Sequence, residues 1–149
     1  MTDTKPRGRR PAPRPEDFPH RTVETIRFGD LDRQNHINNA VFATYFESGR
    51  VGLIYDKENG LQVPGATSVV ARLEIDFLGE LNWPGSVEIG TAVEEIGRSS
   101  YRFVHALFCK GVCAATGRTT MVLIDRATRR ARPLPPELIE RLRGLMRTE

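Results

Sequence analysis

Two cysteines, three histidines and a single tryptophan stand in 149 residues. So few thiols and imidazoles give no basis for a disulfide framework or a structural zinc site of the usual kind, and neither metal nor cofactor is expected. No apolar run exceeds four residues, as at Met121–Ile124, far short of the roughly 20 that span a bilayer. The first twenty residues hold no apolar block of signal-peptide length, so no membrane partner is expected and the expected location is the cytoplasm. What the chain does have is 39% hydrophobic and 28% charged residues, enough for the core of one domain.

The net charge of +3 is unevenly spread. Residues 1–15 carry Lys5, Arg7, Arg9, Arg10 and Arg14 against Asp3 alone, a charge of +4, so the other 134 residues sum to −1. That is not the basic face of a nucleic-acid domain, and nucleic acid is not an expected partner. The same stretch holds Pro6, Pro11, Pro13 and Pro15 and, prolines aside, nothing apolar larger than Ala12 after Met1. It cannot bury enough to offset its chain entropy. Residues 1–18 are therefore expected to be a disordered tail, and residues 19–149 a single domain.

Beyond the tail, β-branched residues predict a strand over 21–29. Phe42, Tyr45, Phe46, Gly49 and Leu53 share one helical face, which predicts a helix from Ala40 to Asn59, stopped by Gly60. Val41 and Ile54 widen that face and suit a deeply embedded helix. Period-two alternation then predicts four strands, at Val69–Phe77, Val87–Val93, Tyr101–Lys110 and Thr119–Ile124, with a turn at Trp83-Pro84-Gly85. Three prolines lead into a short amphipathic helix, Leu138–Met146. Consecutive strands argue for an antiparallel sheet whose apolar face needs a cover, and the long helix supplies it: the fold class is α+β.

Chemistry concentrates between Asp30 and Asn39, where Asp30, Asp32, Asn35, His36, Asn38 and Asn39 immediately precede the apolar helix. A helix start presents unpaired N–H groups and a partial positive charge. A carboxylate and an imidazole beside it supply a base or nucleophile next to an oxyanion hole, a kit for acyl transfer. The same residues are also ordinary caps and turn formers, and Asn38 is a good N-cap. Elsewhere, Glu47 is placed to pair with Arg50 or with polar groups at a subunit interface, and His105, alternating with Phe103 and Leu107, reads as a packed or interface histidine. Cys109 and Cys113 would lie about 13 Å apart on one extended strand, beyond disulfide reach, and are expected to be free thiols.

The stretch Asp30-x-Asp32-x-x-x-His36-Ile37-Asn38-Asn39, followed by an aromatic-rich helix ending Tyr-Phe-Glu-Ser-Gly-Arg50, resembles the 4-hydroxybenzoyl-CoA thioesterase group of the hotdog superfamily. It is also similar to acyl-carrier-protein thioesterases, and the strand Arg72-Leu-Glu-Ile-Asp-Phe77 and the turn Asn82-Trp-Pro-Gly-Ser86 extend the likeness over residues 21–145. The resemblance implies a curved five-stranded sheet wrapped around the long helix and assembly as a homodimer or homotetramer. It implies hydrolysis of thioesters of coenzyme A (acyl-CoA) or of acyl carrier protein. It assigns the attacking or water-activating carboxylate to Asp32 and the oxyanion donor to the backbone N–H of Asn39, with Asn38 beside it, and matches His36 to the histidine of the carrier-protein branch. Gln34 stands where that branch has Asn, and Asn35 where many relatives have Gly. Some relatives use a helix carboxylate, whose position is Glu47. For the phosphates of coenzyme A, Arg98, Arg102, Lys110 and Arg118 are equivalent candidates.

Two other functions compete. Hotdog hydratases of enoyl-CoA resemble Gly-Asp-x-Asn-Pro-x-His, with a proline and five residues from Asp to His, whereas Asp32 to His36 is four without proline. A non-catalytic acyl-CoA-binding module is the other, and no helix-turn-helix pattern supports a nucleic-acid role for it.

Overall fold

The computed structural model describes residues 11–147. Its elements are β1 (His20–Thr25), α1 (Asn39–Ile54), β2 (Ala66–Phe77), β3 (Ser86–Ile96), β4 (Ser100–Cys109), β5 (Val112–Asp125) and α2 (Pro136–Arg143). The strands form one antiparallel sheet in the order β1-β3-β4-β5-β2, with β1 and β2 as its edges. This is the expected hotdog arrangement, five strands around one helix. The helix lies against β1, β3 and β4 through Phe42, Tyr45, Phe46, Gly49 and Leu53, all buried. Gly49 permits the close approach: a Cβ there would sit 2.8 Å from Thr91 Oγ1 and 2.9 Å from Ile89 Cγ2.

Several expected boundaries move: β2 starts three residues earlier and β3 ends three later than alternation predicts, and four other ends shift for a local reason. Strand β1 ends at Thr25 because Phe28–Asp30 closes a single 3-10 turn, with Asp30 Oδ2 accepting from the Arg27 N–H at 2.9 Å. Helix α1 stops at Ile54, short of Gly60, because Asp56 Oδ1 accepts from the Glu58 and Asn59 N–H groups and turns the chain away. Strand β5 starts at Val112, not Thr119, because Gly117 is no break. It is the spot where Phe46 rests on the sheet, and a Cβ there would come within 2.9 Å of the ring. Helix α2 ends at Arg143, with Gly144 as its C-cap. Cys109 and Cys113 lie on two strands, joined by the Lys110–Gly111 turn, and not on one. Cys109 packs against the cluster under the helix and Cys113 against the one on the outer face, so they remain free thiols.

The expected tail boundary falls inside packed structure. Pro15–Asp17 forms a 3-10 turn, and Phe18 is 3% exposed on the outer face of the sheet, over Gly90 and edge-on to Phe108 at 6.0 Å. Arg147 lies over the same ring, 5.4 Å from its centre, and reaches Asp17. The first ten residues of the tail lie outside the described residues. Truncation should therefore be harmless only up to about residue 13. Phe18→Ala should cost about 3 kcal/mol of stability in chemical denaturation, the usual range for emptying a buried phenylalanine site.

Candidate active site

The segment before α1 is built by its own carboxylates. Asp30 is 4% exposed and accepts from the Arg27 N–H and, at 3.0 Å, from the hydroxyl of Tyr45 one and a half turns into the helix. Burial and this bond push the Tyr45 hydroxyl well above its usual range, so it stays a donor. The Asp30 carbonyl accepts from the Asn38 N–H at 2.9 Å. Asp30 thus fastens the segment to the helix and has no carboxylate oxygen turned to solvent. That structural duty was not legible in the motif, where Asp30 and Asp32 look alike.

Asp32 is held differently. Its Oδ1 accepts from the N–H groups of Gln34 at 2.8 Å and His36 at 3.3 Å, while its own N–H donates to the His36 carbonyl at 2.8 Å. The reversal between them needs a left-handed residue, and Asn35 takes it at φ 61°. Asn adopts that region more readily than other non-glycine residues, which explains how it replaces the glycine of many relatives. One oxygen of Asp32 organises the turn. The other, Oδ2, makes no hydrogen bond among the described residues.

Asn38 is the N-cap of α1: its Oδ1 accepts from the Ala40 N–H at 2.9 Å. The Val41 N–H goes to the Asn38 carbonyl. Asn39 is the first helical residue, so no carbonyl of its own helix lies behind its N–H. Asp32, Gln34, His36 and Asn39 line one open pocket of about 400 Å³, completed by Ile37, Phe42, the last residue of β2, Phe77, and the Leu78–Glu80 segment that follows it. Glu80 was missed by sequence reasoning. Its Oε2 lies 3.2 Å from His36 Nε2, a contact between loops 44 residues apart that no local pattern signals.

Other candidates lie elsewhere. Glu47 is exposed in mid-helix, outside this pocket, and forms no ion pair with Arg50 among the described residues. Arg102 and Arg118 are tied to Glu94 on the outer face. Arg98 follows β3 at the opposite end of the sheet, whereas Lys110, in the β4–β5 turn, shares the site's end.

A second polar cluster sits under the middle of the helix, away from the pocket. Arg50, 6% exposed, donates to Thr119 Oγ1 at 3.2 Å; His105 contacts Thr119 at 3.0 Å and Thr91 at 3.4 Å, and stacks on Phe46. Burial first, and the Arg50 charge second, lower the His105 pKa to about 3. His105 is thus packed, as expected, and neutral. As pH falls from about 6.5, only the unfolded chain takes up this proton, so stability falls with pH by about 1.4 kcal/mol per unit from this group. Denaturation midpoints between pH 7 and 4.5 should show that slope, and His105→Gln should flatten it. His20, whose pKa burial also lowers, keeps its smaller contribution in both proteins.

A family model described as the thioesterase-like superfamily matches residues 26–142. The chain belongs to that superfamily. A thioesterase from Thermus thermophilus, solved with coenzyme A and zinc, is 36% identical, covering 87% of this chain and 96% of its own, with a TM-score of 0.75. A protein from Pseudomonas aeruginosa is 26% identical over 93% of this chain and 100% of its own, TM-score 0.82. A predicted thioesterase from Bacillus stearothermophilus is 27% identical over 87% of this chain and 98% of its own, TM-score 0.78. No curated protein sequence matches. Membership in the superfamily supports thioester hydrolysis as the general activity. Among the described residues no helix is long and apolar enough to cross a membrane.

Proposed function

We propose that this thioesterase hydrolyses acyl-CoA to the free acid and coenzyme A, with Asp32 as the reacting carboxylate and the Asn39 N–H as oxyanion donor. The observation that carries the reading is the shared pocket. Asp32, an anchored carboxylate with one oxygen unbonded among the described residues, and Asn39, whose N–H has no intrahelical acceptor, line the same cavity beside Phe42 and Phe77. Asp32 either attacks the thioester carbonyl, forming an anhydride that water cleaves, or takes the proton of a water that attacks. Both routes place negative charge on the carbonyl oxygen, where the N–H and the helix dipole stabilise it. A thiol with a pKa near the ordinary value of about 8.5 departs as thiolate without strong acid assistance, so no Ser-His-Asp triad is required. His36, held against Glu80, is placed to orient water or leaving group.

The uncovered edge supports assembly as a homodimer or larger. Among the described residues strand β2 has no partner beyond β5, and its helix-side residues Val70, Leu73 and Phe77 are 48%, 39% and 49% exposed. A long apolar edge of this kind invites a second copy. Sedimentation should give a mass of at least twice 16.8 kDa at micromolar concentration, and an active monomer would contradict it. Free thiols at Cys109 and Cys113 suit a reducing cytoplasm. Release of thiol from a panel of acyl-CoAs tests the function itself. Hydrolysis of at least one supports it; hydration of an enoyl-CoA, or tight binding without turnover, replaces it with a rival.

A further inference from the structure

Phe28 and Trp83 are 71% and 47% exposed, with rings edge-to-face at 5.4 Å. Among the described residues, no other ring pair leaves both members so open to water. The loops that carry them do not need the pair to hold together. They are joined by the Ile26 N–H to the Gly85 carbonyl at 2.9 Å, the Ile37 N–H to the Leu81 carbonyl at 2.8 Å, and His36 against Glu80. These are the loops that build the pocket. Phe28 stands four residues before Asp32, at most about 14 Å along the chain, and Trp83 three residues after Glu80.

Two arginines lie at the ends of the segment from Phe28 to Asp32. Arg27 adjoins Phe28, its side chain 75% exposed and paired with Asp30 at 3.4 Å. Arg33 adjoins Asp32, is exposed, and pairs with no carboxylate among the described residues. Large exposed aromatic faces mark functional surface. Aromatic faces stack any purine, and guanidinium groups bond phosphate oxygens in pairs. From these residues we propose a nucleotide subsite: the adenine of coenzyme A stacks on the face of Trp83, with Phe28, whose ring is set at 84° to it, closing against the adenine edge, while Arg27 and Arg33 bind the phosphates. The pantetheine arm then leads along the loop to Asp32. The identity of the nucleotide rests on the thioesterase reading. The subsite deepens that reading, because a carrier-protein thioester has no adenine to stack.

Trp83 is the chain's one tryptophan, so its emission reports the platform directly. The full-length protein is titrated with coenzyme A, with adenosine 3′,5′-bisphosphate and with pantetheine. Saturable quenching by the first two and none by the third is expected. Stacking of this kind is worth about tenfold to a hundredfold in affinity. Phe28→Ala, checked for folding by circular dichroism, should weaken both nucleotides by at least tenfold, and the wild-type KM should be at least tenfold lower for acyl-CoA than for acyl-pantetheine. Hydrolysis of acyl-CoA without quenching overturns the subsite and leaves the thioesterase reading standing; quenching without hydrolysis does the reverse. Emission that shifts on dilution alone, with no response to nucleotide, makes the pair a contact between copies and also overturns it.

Discussion

Asp32→Asn should lower kcat for acyl-CoA hydrolysis by at least about a hundredfold, within the range for removing a positioned base. The substitution is unusually clean. The oxygen that organises the loop is Oδ1, which accepts from the Gln34 and His36 N–H groups, and an asparagine carbonyl oxygen accepts from both equally well. Asn is also as good a turn residue as Asp. The melting temperature should therefore hold while the charge and basicity disappear. A purely structural Asp32 gives the opposite pattern: Asn keeps activity, and Ala costs stability. Thiol release measured beside thermal melts for the two variants separates these outcomes.

Asn39→Pro tests the other half of the site. The first position of a helix is where proline is best tolerated, since its φ suits the helix and the missing N–H has no intrahelical acceptor. Asn38 at φ −56° and ψ 136° already has the extended backbone that a following proline demands. The cap bonds to Ala40 and Val41 do not involve the lost N–H. What goes is the proposed oxyanion donor, and loss of one such donor costs about 10²–10³ in kcat. KM should change far less. Asn39→Ala, which keeps the N–H, should stay within a few-fold of wild type. Equal losses for Pro and Ala would put the function in the side chain instead.

The fold was legible because its signals are periodic. Phe42, Tyr45, Phe46, Gly49 and Leu53 mark the buried face of α1, and alternation marks the centres of β2 to β4. Boundaries were legible only where no side chain intervened. Asp56 ending α1 and Phe46 seating on Gly117 are decided by contacts that neighbouring residues do not announce. The same holds within the site. Asp32, His36 and Asn39 converge on one pocket because a single short segment carries them. Glu80, Phe77 and Leu78 arrive from the end of β2 and the segment that follows it, and nothing in their local pattern marks them. Phe18 was read as tail because it follows a proline-rich basic stretch, although the sheet's outer face, bare at Gly90, gives it a seat. Arg50 was read only as one possible partner of Glu47, since charge alone does not reveal that it is buried with Thr119 beneath it.

One measurement bears most directly on the proposed chemistry: kcat for the best acyl-CoA substrate in wild type, Asp32→Asn and Glu47→Gln, assayed side by side for thiol release. Catalysis by the loop carboxylate gives a hundredfold or greater loss for Asp32→Asn and near-wild-type turnover for Glu47→Gln, as for removal of a positioned base. Near-normal hydrolysis by Asp32→Asn, with Glu47→Gln inactive, would contradict it and move the chemistry to the helix.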